Sequence, residues 1–148
     1  MAGIDGTWVN SYGSKMKLST SGSLVDGIYS STTGSSGSYN IHGYVGKSVK
    51  VGMGIPLAMG IYWHSTEDSD IPDPSWHWTS SFSGQYFPGS AKNPETIEVL
   101  NMLNATSKFP GLNEKAPLLW PQTLLFTKVS DEISDIKDLT EQEENFAS

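Results

Sequence analysis

Six polar side chains in this 148-residue chain fall where a folded core would normally be apolar. In the opening segment "GTWVNSYGS", residues 6 to 14, two-residue alternation sets Trp8 and Asn10 on one face, and the turn that follows delivers Ser14. The same alternation turns Tyr29 and Ser31 inward in "LVDGIYSS" and Ser80 inward between Trp78 and Phe82 in "WHWTSSFSGQYF". Asn101 follows Ile97 and Val99 on one face of a later strand. A buried polar group left unpaired costs about 1–3 kcal/mol. Any one of the six is explained as a core group that finds a partner inside. Together, between walls of Trp63, Trp76, Trp78 and Phe82, they describe a pocket with convergent hydrogen-bonding groups.

Other chemistries find less support. The chain has no Cys, so thiolate catalysis and Cys-based metal sites are excluded. Its three histidines, His42, His64 and His77, show no H-x-x-x-H or H-x-H spacing, and no metal is expected. "EDSD" at 67–70 lacks the glycine and the distal glutamate of a calcium loop. No serine sits in a G-x-S-x-G elbow. All nine basic residues are Lys, with no Arg, which argues against a nucleic-acid partner. No stretch approaches 18 apolar residues, so no membrane-spanning helix and no membrane partner is expected. "MAGIDGTW" has no leader pattern, which fits a cytoplasmic chain better than a mature secreted one carrying a start Met.

The elements that must position these residues are strands. Hydrophobic residues make up 36%, aromatics 11%, and Gly 15 residues, a mixture suited to short strands and tight turns. Alternation and turn punctuation place eight strands near 6–10, 14–20, 23–31, 38–46, 55–63, 76–87, 95–104 and 121–129. Eight sequential strands with hairpin-length connections predict an all-β fold, an eight-stranded antiparallel up-and-down β-barrel over residues 1–130, roomy enough for one small ligand. Residues 131–148 form an acidic tail that holds most of the chain's net charge of −7. Ile133, Ile136 and Leu139 give it a weak apolar stripe, so it is read as disordered or as a short helix.

The chain resembles the avidin and streptavidin family of biotin-binding β-barrels as a divergent member. The pieces that carry the resemblance are "GTWVNSYGSKM", "GSLVDGIYSS", "YNIHGYVG", "MGIYW", "TSSFSGQYF" and "LLFTK", in family order over roughly residues 3 to 129. The resemblance implies that Asn10, Ser14 and Tyr29 aim three donors at a ureido oxygen, in the manner of an oxyanion hole. It assigns Ser31 to a ureido nitrogen, Ser80 to the neighbourhood of the sulfur, and Trp63 and Phe82 to the pocket wall. Ser35, in the small polar loop "TTGSSGS", could bond a carboxylate.

The departures fall on the rest of the guest. Asn101 stands where the family has a third wall tryptophan, and Trp78 where it has a carboxylate-binding hydroxyl. Leu124 takes the place of the last-strand acceptor for the second ureido N–H, if that strand is anchored on Phe126. Trp120 stands six residues before Phe126, closer than the family's subunit-bridging tryptophan. Each loss could remove about 1–3 kcal/mol of affinity.

The expected function is avidin-like binding of one small molecule, with biotin the leading ligand, possibly at reduced affinity, and with no cofactor. The family's habit of burying strand faces between subunits implies a homo-oligomer, dimer or tetramer. A second reading has the barrel bind or convert another carbonyl-bearing hydrophobic guest. As an enzyme it would be a cyclase or isomerase using Asn10, Ser14, Tyr29 and Asn101 to polarise the carbonyl.

Overall fold

The computed structural model describes residues 3–31, 37–48, 50–64, 78–105 and 119–132, without the side chains of 105, 119 and 120. Eight strands follow one another: β1 (Gly6–Asn10), β2 (Lys15–Ser21), β3 (Leu24–Ser31), β4 (Gly37–Val45), β5 (Ile55–Tyr62), β6 (Trp78–Phe87), β7 (Thr96–Ala105) and β8 (Leu119–Ser130). Each pairs antiparallel with the next, and β8 returns to β1, so the sheet closes and has no free edge. This is the barrel expected from the alternation. The acidic tail beyond residue 132 lies outside the described residues.

The barrel forms because every strand has one apolar face. Trp8, Met16, Leu18, Val25, Ile41, Ile97, Val99 and Phe126 are all at most 1% exposed, and each lies on the inner parity of its strand. Curling eight strands this tightly needs positions without a side chain. A Cβ built on Gly84 would run into the carbonyl of Glu98 on β7, and one on Gly27 into the carbonyl of Lys17 on β2. Both glycines face inward where neighbouring backbones approach most closely.

The two ends of the barrel differ. At the end that carries the described N-terminal residues, the Trp8 indole N–H donates to the Ile4 carbonyl at 2.9 Å, and Tyr86 meets the Trp8 ring edge-on at 6.1 Å. The Lys128 ammonium lies 5.4 Å over the Trp8 ring and donates to Gly3 O at 2.7 Å. It also pairs with Glu95 at 3.2 Å and Asp131 at 3.1 Å. Tyr86 donates to the other Glu95 oxygen at 2.6 Å. Burial first, and then this bond to Glu95, push the Tyr86 phenol well above the ordinary phenol range. That end is closed. The opposite end, the mouth, gathers the polar residues.

Candidate functional site

Asn10 ends β1 and organises the turn that follows. Its side-chain oxygen accepts the backbone N–H of Tyr12 at 3.0 Å and of Ser14 at 3.0 Å. The backbone closes the same turn through Asn10 N–H to Ser14 O at 3.1 Å and Gly13 N–H to Asn10 O at 3.0 Å. Gly13, at φ 84°, supplies the left-handed residue the turn requires. With the oxygen committed to the turn, the amide nitrogen has one direction left. It points into the barrel and donates to the Tyr29 hydroxyl at 3.4 Å. Turn chemistry therefore decides which end of the Asn10 amide faces the interior, and it is the donor end.

Asn10, Ser14, Tyr29 and Ser31 are all buried. Tyr29 is held by rings on three sides: Phe82 at 5.9 Å, Trp63 at 6.3 Å and Phe126 at 6.4 Å, each edge-on. A phenol locked this way and accepting from Asn10 can direct its own proton toward a guest. Trp63 is half-buried at the mouth, packed on Tyr39 at 4.7 Å, and its indole N–H donates to Ser80 Oγ at 2.9 Å. Ser80 therefore spends its acceptor on the wall tryptophan. Tyr39, 1% exposed, is missing from the candidates drawn from the sequence. The signal for it was the alternation of Tyr39, Ile41 and Gly43 along β4.

The far wall consists of β6, β7 and β8. Trp78, half-buried, shares the inner parity of Ser80 and Phe82. The register of β8 sets Phe126 opposite Asn10 and Ile97, Leu124 opposite Val99, Gln122 opposite Asn101 and Trp120 opposite Leu103. Leu124 is 4% exposed and apolar, so this point of the last strand offers no acceptor. Gln122, half-buried on the same face one step nearer the mouth, is missing from the candidates drawn from the sequence, although alternation with Leu124 and Phe126 sets it there; only the register shows that it faces Asn101. Trp120 is placed by its backbone alone, and Ser35, with Trp76, lies outside the described residues.

Asn101 stands between Phe82 on β6 and Gln122 on β8. Its side-chain oxygen is buried and has no hydrogen-bond partner among the described residues. An amide oxygen in that condition costs about 1–3 kcal/mol.

Two depressions lie on the outer wall of the barrel. One, of about 830 Å3, is floored by Gly60 and rimmed by Asn40, His42, Tyr62 and His64. The other, of about 320 Å3, is lined by Leu24, Asp26, His42 and Tyr44. Neither reaches the donors of Asn10 and Tyr29.

Residues 2–116 match the family model described as the avidin family. The match ends before β8, the strand that carries Leu124. No curated protein sequence matches the chain. Among solved structures, the biotin-binding protein from chicken superposes with a TM-score of 0.66 at 20% identity, over 85% of this chain and 97% of that one. Xenavidin gives 0.63 at 17%, over 85% and 96%. The rhizavidin–biotin complex gives 0.61 at 16%, over 87% and 100%.

Proposed function

The chain belongs to the avidin family, and from that premise we propose that it binds one small molecule at the barrel mouth, with biotin the leading guest at reduced affinity. The observation that carries this reading is the Asn10 amide, turned nitrogen-inward by its own turn and bonded to Tyr29. Two donors side by side, with Ser14 buried at the end of the same turn, suit a carbonyl oxygen that carries partial negative charge. The similarity to a chicken biotin-binding protein and to rhizavidin solved with biotin supports a ureido carbonyl as that group.

Reduced affinity follows from the far wall. Leu124 offers nothing to a second ureido N–H, and Asn101 is smaller and more polar than an indole. Two such losses of about 1–3 kcal/mol each move a picomolar complex toward the nanomolar range, at tenfold per 1.4 kcal/mol. Binding is favoured over conversion because, among the described residues, no Asp, Glu or His lies on the inner face at the mouth to move a proton.

Titration calorimetry with biotin tests the reading, and Asn10→Asp sharpens it. A carboxylate keeps both turn N–H bonds while losing the donor that faces the guest. The expected result is at least ~100-fold weaker binding, about 2.8 kcal/mol, with the barrel still folded. Biotin affinity unchanged in Asn10→Asp defeats the cradle.

The same reading includes a homo-oligomer. The outer face of β5 to β8 presents Ala58, Gly60, Ser81, Ser83, Leu100 and Leu125, with Glu98 the charged residue beside them and Leu100 and Leu125 about half exposed. Light scattering is expected to read a dimer or tetramer; a monomer at micromolar concentration refutes this part.

A further inference from the structure

The mouth holds one polar atom that the carbonyl cradle does not use. Asn101 Oδ1 is buried and unpartnered among the described residues, although the Gln122 amide stands directly opposite on β8 and Phe82 directly opposite on β6. Cross-strand neighbours bring their Cβ atoms to about 5 Å. An amide so close to another amide, yet left without a bond, is an acceptor that the described residues of the barrel do not satisfy. Buried polar atoms of folded proteins are rarely left so, and those that are mark a functional role, strain, or a bound water or ion.

We propose that Asn101 determines specificity, accepting an uncharged N–H or O–H from the remote end of a guest whose carbonyl rests on Asn10 and Tyr29. The step rests on the binding reading given above. Three observations give its direction. The free atom of Asn101 is an oxygen, which accepts hydrogen bonds and repels a carboxylate. Leu124, next along the inner face of β8, offers no competing polar group. Among the described residues no cation faces the mouth: Lys15, Lys47, Lys50 and Lys92 are exposed, Lys17 has outer parity on β2, and Lys128 is committed to the closed end. A negatively charged tail on the guest therefore meets an acceptor and, among the described residues, no counter-charge.

Asn101 and the cradle are also set apart. Phe82 lies between them, its ring 5.9 Å from that of Tyr29 and its backbone paired with Asn101. The two polar ends of the guest are thus separated by roughly one ring width plus one strand spacing, on the order of 10 Å. The class this fits is a cyclic urea or lactam carrying a neutral amide or hydroxyl at the far end of a short apolar body.

The experiment titrates the full chain with biotin and with its primary carboxamide, which share the cyclic urea and differ in the remote group. Wild-type protein is expected to bind the carboxamide about tenfold more tightly. Asn101→Leu is expected to bring the ratio to near one, chiefly by weakening the carboxamide. It is also expected to raise the melting temperature of the unliganded protein by about 2–4 °C, since the unpaired oxygen is gone. Asn101→Asp, which keeps an acceptor and adds charge, is expected to widen the preference beyond tenfold. A wild-type ratio near one, or a ratio that Asn101→Leu leaves in place, overturns the inference while the cradle stands. A fall in melting temperature in Asn101→Leu overturns it too, because it reveals a structural partner. Failure of wild-type protein to bind either compound defeats the binding reading, and this inference with it.

Discussion

The closed end and the mouth are built from the same strands, yet they treat their polar groups in opposite ways. Lys128, with only 7% of its side chain exposed, has the Gly3 carbonyl, Glu95 and Asp131 around it and an indole face beneath. Tyr86 closes the network onto Glu95. At the mouth, Asn101 has an oxygen with no partner among the described residues, and Trp63 and Trp78 stay half-buried. One end spends its polar groups on itself, joining β8 to the β6–β7 hairpin and to the residues before β1. The other also pairs Asn10 with Tyr29 and Trp63 with Ser80, but leaves one acceptor, Asn101 Oδ1, without a partner among the described residues. Under the proposed binding reading, the barrel keeps its densest polar network at one end and its guest at the other, and the strong end offsets what an unsatisfied group costs at the mouth.

That contrast can be broken at its strong end. Lys128→Met keeps an apolar stem on Trp8 but leaves Glu95 and the Gly3 carbonyl without their cation. Breaking a largely buried pair from one side is expected to lower stability by about 3 kcal/mol, read as a shift of the urea midpoint. Guest affinity at the mouth should stay within about threefold. A comparable fall in affinity would show that the two ends are coupled and the separation is wrong.

A smaller effect comes from pH. The folded barrel keeps the Tyr86 proton at a pH where the unfolded chain releases it, because the folded phenol lies above its ordinary value. The contribution is therefore whole below about pH 10 and is lost as pH rises above it. Wild-type stability is expected to decline between about pH 10 and 11.5, and Tyr86→Phe to flatten part of that slope. Parallel slopes in the two proteins would remove Tyr86 from the network.

Much of the barrel was legible because alternation is a local property. Trp8, Asn10, Ser14, Tyr29, Ser80 and Phe82 could be assigned to the inner face from their own strands. What they do there was less legible. That Asn10 turns its nitrogen inward depends on two N–H groups of the next turn, and that Ser80 is bonded to Trp63 depends on a side chain 17 residues away. Tyr39 went unnoticed although its strand alternates plainly. Gln122 was passed over as well, although the expected strand 121–129 with Leu124 and Phe126 inward sets it on the same face.

The sequence alone therefore determined the strands, their inward faces and the polar residues gathered on them, because a period of two is written residue by residue. Only the closed sheet decided which of those groups find partners among the described residues and which do not. Pairing is set by register between strands distant in sequence: Asn101 faces Gln122 without a bond, whereas Lys128 reaches Gly3 across the whole chain. Hydrogen bonds are made in space, and alternation carries no record of what stands across the gap.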